Sequence, residues 1–381
     1  MRRLFPLLFL AVLAAAILPG SALAAAKQNE PLCLPSIYEN TGSDCLLAGS
    51  YAYTQRLAEI GLTFPTQPLP AFAPDPALSD LPYVYGHVTE GMQAPIFASI
   101  GDASAGKPVK RYLPPGFNYV SYVEMIQVDG RKYYTIDTGE YMRGDSVSGG
   151  IAYSHFMGLQ FVAAPARQFG WVLQNIQARQ GPSSSAELSQ RSFVRFDVIQ
   201  VYDTREADGI TWHMVEPDLW IESKDAALVY PTNAAPAGVE NGRWIEVNLA
   251  EQTLAVYENN QLIYATLLSS GVPGFWTRPG LFQIFEKLET TPMSGSFEAD
   301  RSDYYYLEDV PWTMYFDGLR ALHGAYWHTK LGYERSHGCV NLSPGDANWL
   351  FHWAVVGDWV YVWDPSGATP TDPSLYGEGG A

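Results

Sequence analysis

The apolar and polar positions of this 381-residue chain change pattern several times. A cationic start, Met1-Arg2-Arg3, leads into an apolar run from Leu4 to Leu18, interrupted only by Pro6. Pro19-Gly20-Ser21 ends it, and Ala22-Leu23-Ala24 has the small-x-small form of a cleavage site. Residues 1–24 read as a secretory signal peptide. The competing reading, an uncleaved anchor, asks for roughly 20 apolar residues, more than the run supplies. Residues 25–63 read as a short cap with a helix over Tyr51 to Ile60. Five prolines between Phe64 and Pro76 predict an extended linker.

From Leu81 the pattern turns to short β runs. Tyr83–Tyr85, Ile96–Ala98, Tyr119–Val123 and Tyr133–Ile136 are separated by Gly, Pro and Asp turns, the spacing of a small barrel or sandwich. The stretch recurs downstream. Asp129-Gly130, Tyr133-Tyr134 and Tyr141-Met142 each reappear 79 residues later, as Asp208-Gly209, Trp212-His213 and Trp220-Ile221. An Asp-Gly turn feeding an aromatic strand marks a hairpin, and the constant offset argues for two copies of one β unit. The copies resemble the SH3-like modules of exported wall enzymes, over residues 77–149 and, with a connector, 150–231. His213, inside a hairpin strand, reads as a structural histidine rather than a ligand.

After an Ala/Pro/Gly/Asn linker at 232–242, strands are predicted over Arg243–Leu249, Thr253–Tyr257, Gln261–Leu268, Leu281–Phe285, Thr313–Phe316 and Trp359–Trp363. A helix should start where Ser343 precedes Pro344, in the order N-cap then first turn. Residues 365–381 show no periodicity and are expected to be a disordered tail. The chain therefore reads as mainly β, with a C-terminal catalytic domain at 243–364.

Composition narrows the function. Hydrophobic residues make up 47% of the chain, enough for real cores. The net charge of −17 becomes −19 once Arg2 and Arg3 are removed. So acidic a chain has no generic electrostatic footprint for nucleic acid or an anionic membrane surface, and no second apolar run is long enough for a stable membrane span. An exported location, in a periplasm or at a cell wall, follows from the leader. There Cys33 and Cys45 could pair as a disulfide, leaving Cys339 as a candidate reactive thiol.

Cys339 lies in the densest chemistry of the sequence: His323-Gly324, then Ser336-His337-Gly338-Cys339-Val340-Asn341-Leu342. A thiolate is a strong nucleophile, and a nearby imidazole can generate it by taking the proton. Gly338 permits a sharp turn with accessible amides for an oxyanion, and Ser336 and Asn341 can anchor the loop. These residues read as a cysteine acyl-transfer site. An inert buried cysteine accounts for any one of them but not for the group. Zinc could use His323, His328, His337 and Cys339, but a single residue between His337 and Cys339 is tighter than usual chelating spacings. A serine centre at Ser336 lacks the Gly-x-Ser-x-Gly elbow.

The Ser336–Leu342 segment with its upstream His323-Gly324 resembles the signature of L,D-transpeptidases with a YkuD-type catalytic domain. The resemblance runs from about Arg243 to Trp363 and includes Thr277-Arg278-Pro279-Gly280, similar to the family's Thr-Pro-x-Gly except that Arg278 precedes the proline. It implies a β-sandwich with the cysteine at the mouth of a cleft, acting on peptidoglycan stem peptides without metal or other cofactor. It implies Cys339 as nucleophile, His323 as general base oriented by a backbone carbonyl, and His337, Gly338 and Cys339 as the segment shaping the oxyanion site. Ser336, Gly324 and Asn341 would support, and Tyr315 and Tyr305 could line the cleft. The acyl group would pass to an amine, cross-linking the wall. Water as acceptor would make a carboxypeptidase, and a third alternative is a non-catalytic wall-binding protein. The two modules would contact glycan or peptide of the wall.

Overall fold

The computed structural model describes residues 68–136, 139–296, 300 and 304–376. The leader, the Tyr51–Ile60 helix, and Cys33 and Cys45 lie outside these residues.

Strands dominate, in the places where short apolar runs sit between turn residues. A seven-stranded sheet has the order Ala71–Phe72, Leu159–Phe161, Gln261–Leu267, Thr253–Glu258, Trp244–Asn248, Trp359–Trp363, Gly280–Gln283. Its centre is buried on both faces. Ile245 and Val247 turn to a core with Val256, Met314, Phe316, Leu322 and Val340. Trp244, on the opposite face, stacks on Tyr257 and joins a second core with Phe169 and Trp171. Burial on both sides explains why the neighbouring runs Leu254–Tyr257 and Leu262–Leu268 read as almost continuously apolar.

The helix Pro344–Trp353 closes the first core. Ser343 caps it, its Oγ accepting the Asp346 N–H at 3.0 Å, with Pro344 in the first turn. The buried Asp346 carboxylate then ties the helix to the sheet, accepting from Tyr264 Oη, Thr266 Oγ1 and the Gly158 amide at 2.6, 2.6 and 2.8 Å.

The internal repeat is reproduced in strand register. Asp129 and Gly130 take positive φ (49° and 77°) and close Val128 against Arg131; Asp208 and Gly209 (56° and 72°) close Ala207 against Ile210. Positive φ at both turn positions is the hairpin geometry that Asp-Gly favours. The third strands also correspond: Tyr133 faces Arg143 and Trp212 faces Glu222, each pair shifted by the same 79 residues. His213 is buried in this second copy, its Nδ1 3.1 Å from Thr204 Oγ1, and burial lowers its pKa.

Three segments differ from the expected division. The first repeat shares a sheet with the C-terminal segment: Phe117–Val128 pairs with its own meander and, in parallel, with Tyr305–Asp317, matching Phe117 to Tyr305 and Tyr119 to Leu307. Polar groups reinforce this seam. Ser121 donates its N–H to Glu308 Oε2 at 3.0 Å, and Tyr85 Oη donates to the Asp309 carbonyl at 2.7 Å. The proline-rich linker and the connector also supply the last two strands at one side of the seven-stranded sheet, Ala71–Phe72 at the edge and Leu159–Phe161 inside it, with Leu69 buried beneath. The stretch 365–376, expected to lack structure, is placed against the C-terminal β segment. Tyr376 is 7% exposed and its ring lies 5.2 Å under the Arg320 guanidinium. An aromatic anchor beside a buried cation holds a sequence that has no periodic pattern of its own.

Candidate active site

Two short strands bring the chemistry together. Arg320–Gly324 and Val340–Leu342 run in parallel, with His323 opposite Asn341 and Leu322 opposite Val340. The chain between them closes a loop whose end carries Ser336, His337, Gly338 and Cys339. Gly338 sits at φ 119°, a conformation that favours glycine, and a Cβ there would press on Arg320 Nε at 3.2 Å. Ser336 Oγ donates to the Cys339 carbonyl at 2.5 Å and accepts the Gly338 N–H at 3.1 Å. Thr277 Oγ1 donates to the Gly338 carbonyl at 2.8 Å and accepts the Gly271 amide at 3.0 Å. Both polar groups of the Gly338 backbone are thus spent on holding the loop.

Cys339, His323, His337, Ser336, Asn341 and Tyr305 line one cavity of about 230 Å³, together with Trp327, His328, Arg335, Met293, Leu307 and Phe117. Gly324 lies in its strand behind this surface. Tyr315 is not on the cavity wall: it packs on Phe285, with its pKa raised by burial and then by the nearby Cys339. His337 is gripped between rings, parallel to Tyr305 at 5.5 Å and edge-on to Phe275 at 5.0 Å.

Burial sets the electrostatics. It pushes the Cys339 thiol up to about 11, an effect opposed by the Ala321 amide and by Arg320. It pulls His323 down to about 4, opposed by the Gly324 carbonyl, which lies 3.4 Å from Nδ1. Near neutral pH both groups are uncharged, so a proton has to leave the thiol as its sulfur reacts, and a neutral imidazole on the same cavity wall can take it. Arg320 is fixed by Asp317 at 2.9 Å, and Asp317 also holds Arg278 Nε at 2.9 Å, so the Arg278 that departs from the motif serves as a brace.

Trp327, Arg335, Met293, Leu307 and Phe117 were not singled out from sequence. His328 contacts Asn341, its Nε2 3.1 Å from Nδ2, and burial lowers its pKa to about 4. Its Nδ1 and Asn341 Oδ1 are without a hydrogen-bond partner among the described residues. His328, five residues after His323, was weighed only as a zinc ligand; among the described residues no three His, Cys, Asp or Glu side chains are grouped to hold a metal.

Comparison with known proteins bears on this segment. Residues 242–362 match the family model described as the L,D-transpeptidase catalytic domain, YkuD. This segment is a YkuD-type L,D-transpeptidase catalytic domain. It is similar to L,D-transpeptidase 1 of Mycobacterium tuberculosis, at 30% identity over 125 residues, 30% of this chain and 48% of the relative. A putative L,D-transpeptidase, YciB, of Bacillus subtilis is 27% identical over 126 residues, 28% of this chain and 59% of the relative. The chain thus spans about half the length of the curated relatives it matches. The catalytic domain of the Enterococcus faecium L,D-transpeptidase is 27% identical, covering 33% of this chain and all of that one, with a TM-score of 0.30. The YkuD domain contains the cysteine, the three cavity histidines, and the threonine and arginine braces.

Proposed function

We propose that the protein is an exported peptidoglycan L,D-transpeptidase that uses Cys339 as its nucleophile. The observation that carries this is the convergence of Cys339, His323 and His337 on one cavity, inside a segment matching the YkuD catalytic domain. In the first step the Cys339 proton passes to His323 as sulfur attacks the carbonyl carbon of the third residue of a tetrapeptide stem. The C–N bond to the terminal D-alanine breaks, and its nitrogen takes the proton from His323. The thioester left on Cys339 is then attacked by an amine of a neighbouring stem. An amide forms, the C–S bond breaks, and the amine's proton returns to sulfur through the histidine. Tyr305 and Phe275 pack on His337 at the cavity wall, which supports a positioning role for these rings. The repeats would contact the wall, which cosedimentation with purified sacculi measures.

The test is mass spectrometry of the protein mixed with a purified tetrapeptide muropeptide. The reading expects an adduct on Cys339 and a cross-linked dimer. Tripeptide and D-alanine without dimer would make the enzyme a carboxypeptidase. Absence of both adduct and product from folded protein would leave the wall-binding alternative.

A further inference from the structure

We propose that Phe117, carried by the first repeat, forms a substrate subsite of the catalytic cavity and contacts the uncharged, C–H-rich part of the donor, the disaccharide end, that projects beyond the reacting peptide. The inference rests on the stem-peptide reading above. Its ground is that the cavity wall is built by two parts of the chain. Phe117 lines the cavity beside Tyr305 and Leu307, although Phe117 lies 222 positions before Cys339.

Backbone pairing fixes the position of Phe117. Its N–H donates to the Tyr304 carbonyl at 3.0 Å, and it faces Tyr305 in the parallel register. Gly116 makes the approach possible: a Cβ there would lie 2.0 Å from the Tyr304 carbonyl oxygen. The side chain is 38% exposed while lining the cavity, which puts it at the lip.

Size and chemistry say what crosses that lip. A cavity of about 230 Å³ is smaller than the roughly 300–1,000 Å³ of ordinary ligand sites, so it holds only the reacting end of a donor. The rest has to lie outside. From Phe117 the aromatic surface continues along the first repeat to the partly exposed His87, 6.3 Å between ring centroids, with the buried Tyr119 packed beneath both. Aromatic faces take C–H-bearing, uncharged surface such as one side of a sugar ring, and rigid rings lose little entropy in doing so.

Two donors test the proposal: the free tetrapeptide and the same tetrapeptide carrying its disaccharide. Phe117→Ala is expected to raise KM about tenfold for the disaccharide donor, with a markedly smaller rise for the free tetrapeptide, whose reacting end occupies the same cavity. Phe117→Tyr is expected to restore the wild-type KM. Equal behaviour of Phe117→Ala and wild type on both donors overturns the subsite. So does an equal loss on both donors, which would make Phe117 a support of the seam alone. If the wild type forms no adduct with either donor, it is the function proposed above that fails.

Discussion

The imidazole of His337 lies parallel to the ring of Tyr305, with 1° between the planes and 5.5 Å between the centroids. Phe275 meets the same imidazole edge-on. His337, two positions before Cys339, thereby meets rings from two other segments. Replacing Tyr305 with Leu keeps the apolar volume and removes the stacking face. We expect kcat/KM for the muropeptide to fall about tenfold, the order of one aromatic contact, with the melting temperature little changed. A variant with full activity would remove positioning by Tyr305 from the mechanism.

The electrostatics of the cavity predict an unusual acid limb. His323 titrates near 4, well below the usual histidine value, because burial disfavours the imidazolium. Only its neutral form accepts the thiol proton, so acylation should be lost as pH falls through about 4, not through the ordinary histidine range. The thiol, pushed up to about 11, stays protonated across the neutral region. The rate of adduct formation should therefore be flat from mildly acidic to mildly alkaline pH. His323→Ala should lower that rate about 10²–10⁴-fold and abolish the acid limb. Stopped-flow or quenched mass spectrometry against pH reads both effects.

Thr277 links the Gly271 backbone to the cysteine loop through its two hydrogen bonds. Thr277→Val keeps the shape but deletes the hydroxyl, leaving the buried Gly271 N–H and one lone-pair site of the Gly338 carbonyl unmatched. A loss of about 1–3 kcal/mol follows for the buried amide, together with reduced kcat from a loosened Cys339 loop. Denaturant titration and steady-state kinetics on the same preparation separate the two.

Asp346 gives a stability prediction with a pH signature. Asp346→Ala strands the hydroxyls of Tyr264, Thr266 and Ser343 and the Gly158 amide, at a cost of about 3 kcal/mol or more. Burial lifts the folded pKa to about 6 from an ordinary 3.8. The native chain therefore binds this proton more tightly than the unfolded chain does. The resulting contribution is complete below the ordinary value and disappears as pH rises through about 6. The stability gap between wild type and Asp346→Ala should widen from about pH 7.5 to about pH 5, as thermal unfolding would show.

Much of this was legible in sequence where local chemistry decides the outcome. Asp-Gly at 129 and at 208 imposes the same turn, and the register of both meanders follows from it. Ser343-Pro344 places a helix start because cap and first-turn geometry are local. The cysteine loop announces itself by residue type. The strand Glu286–Gly295 was not visible, since half-exposed Glu, Lys, Thr and Ser alternate with too few apolar residues, and among the described residues it pairs only with Tyr305–Asp317. Tyr376 gave no periodic cue because one ring under Arg320 holds its segment. Phe117 was unreadable as a cavity residue for a related reason: parallel pairing between segments this far apart leaves no trace in either local pattern. The SH3-like likeness suggested separate modules, and nothing in the composition of 77–149 marks the strand that crosses to Tyr305.

That crossing sets where the chain can be cut. A fragment starting at the matched boundary, residue 242, retains every residue the chemistry calls for but removes the strand pairing Tyr305, Tyr306 and Leu307. Their ladder groups would become an open edge, flanked by the side chains of Tyr305 and Leu307 that are buried in the whole chain. An uncovered apolar edge is a template for pairing with another copy. Insolubility of such a fragment would therefore report the missing neighbour strand, not a defective catalytic fold.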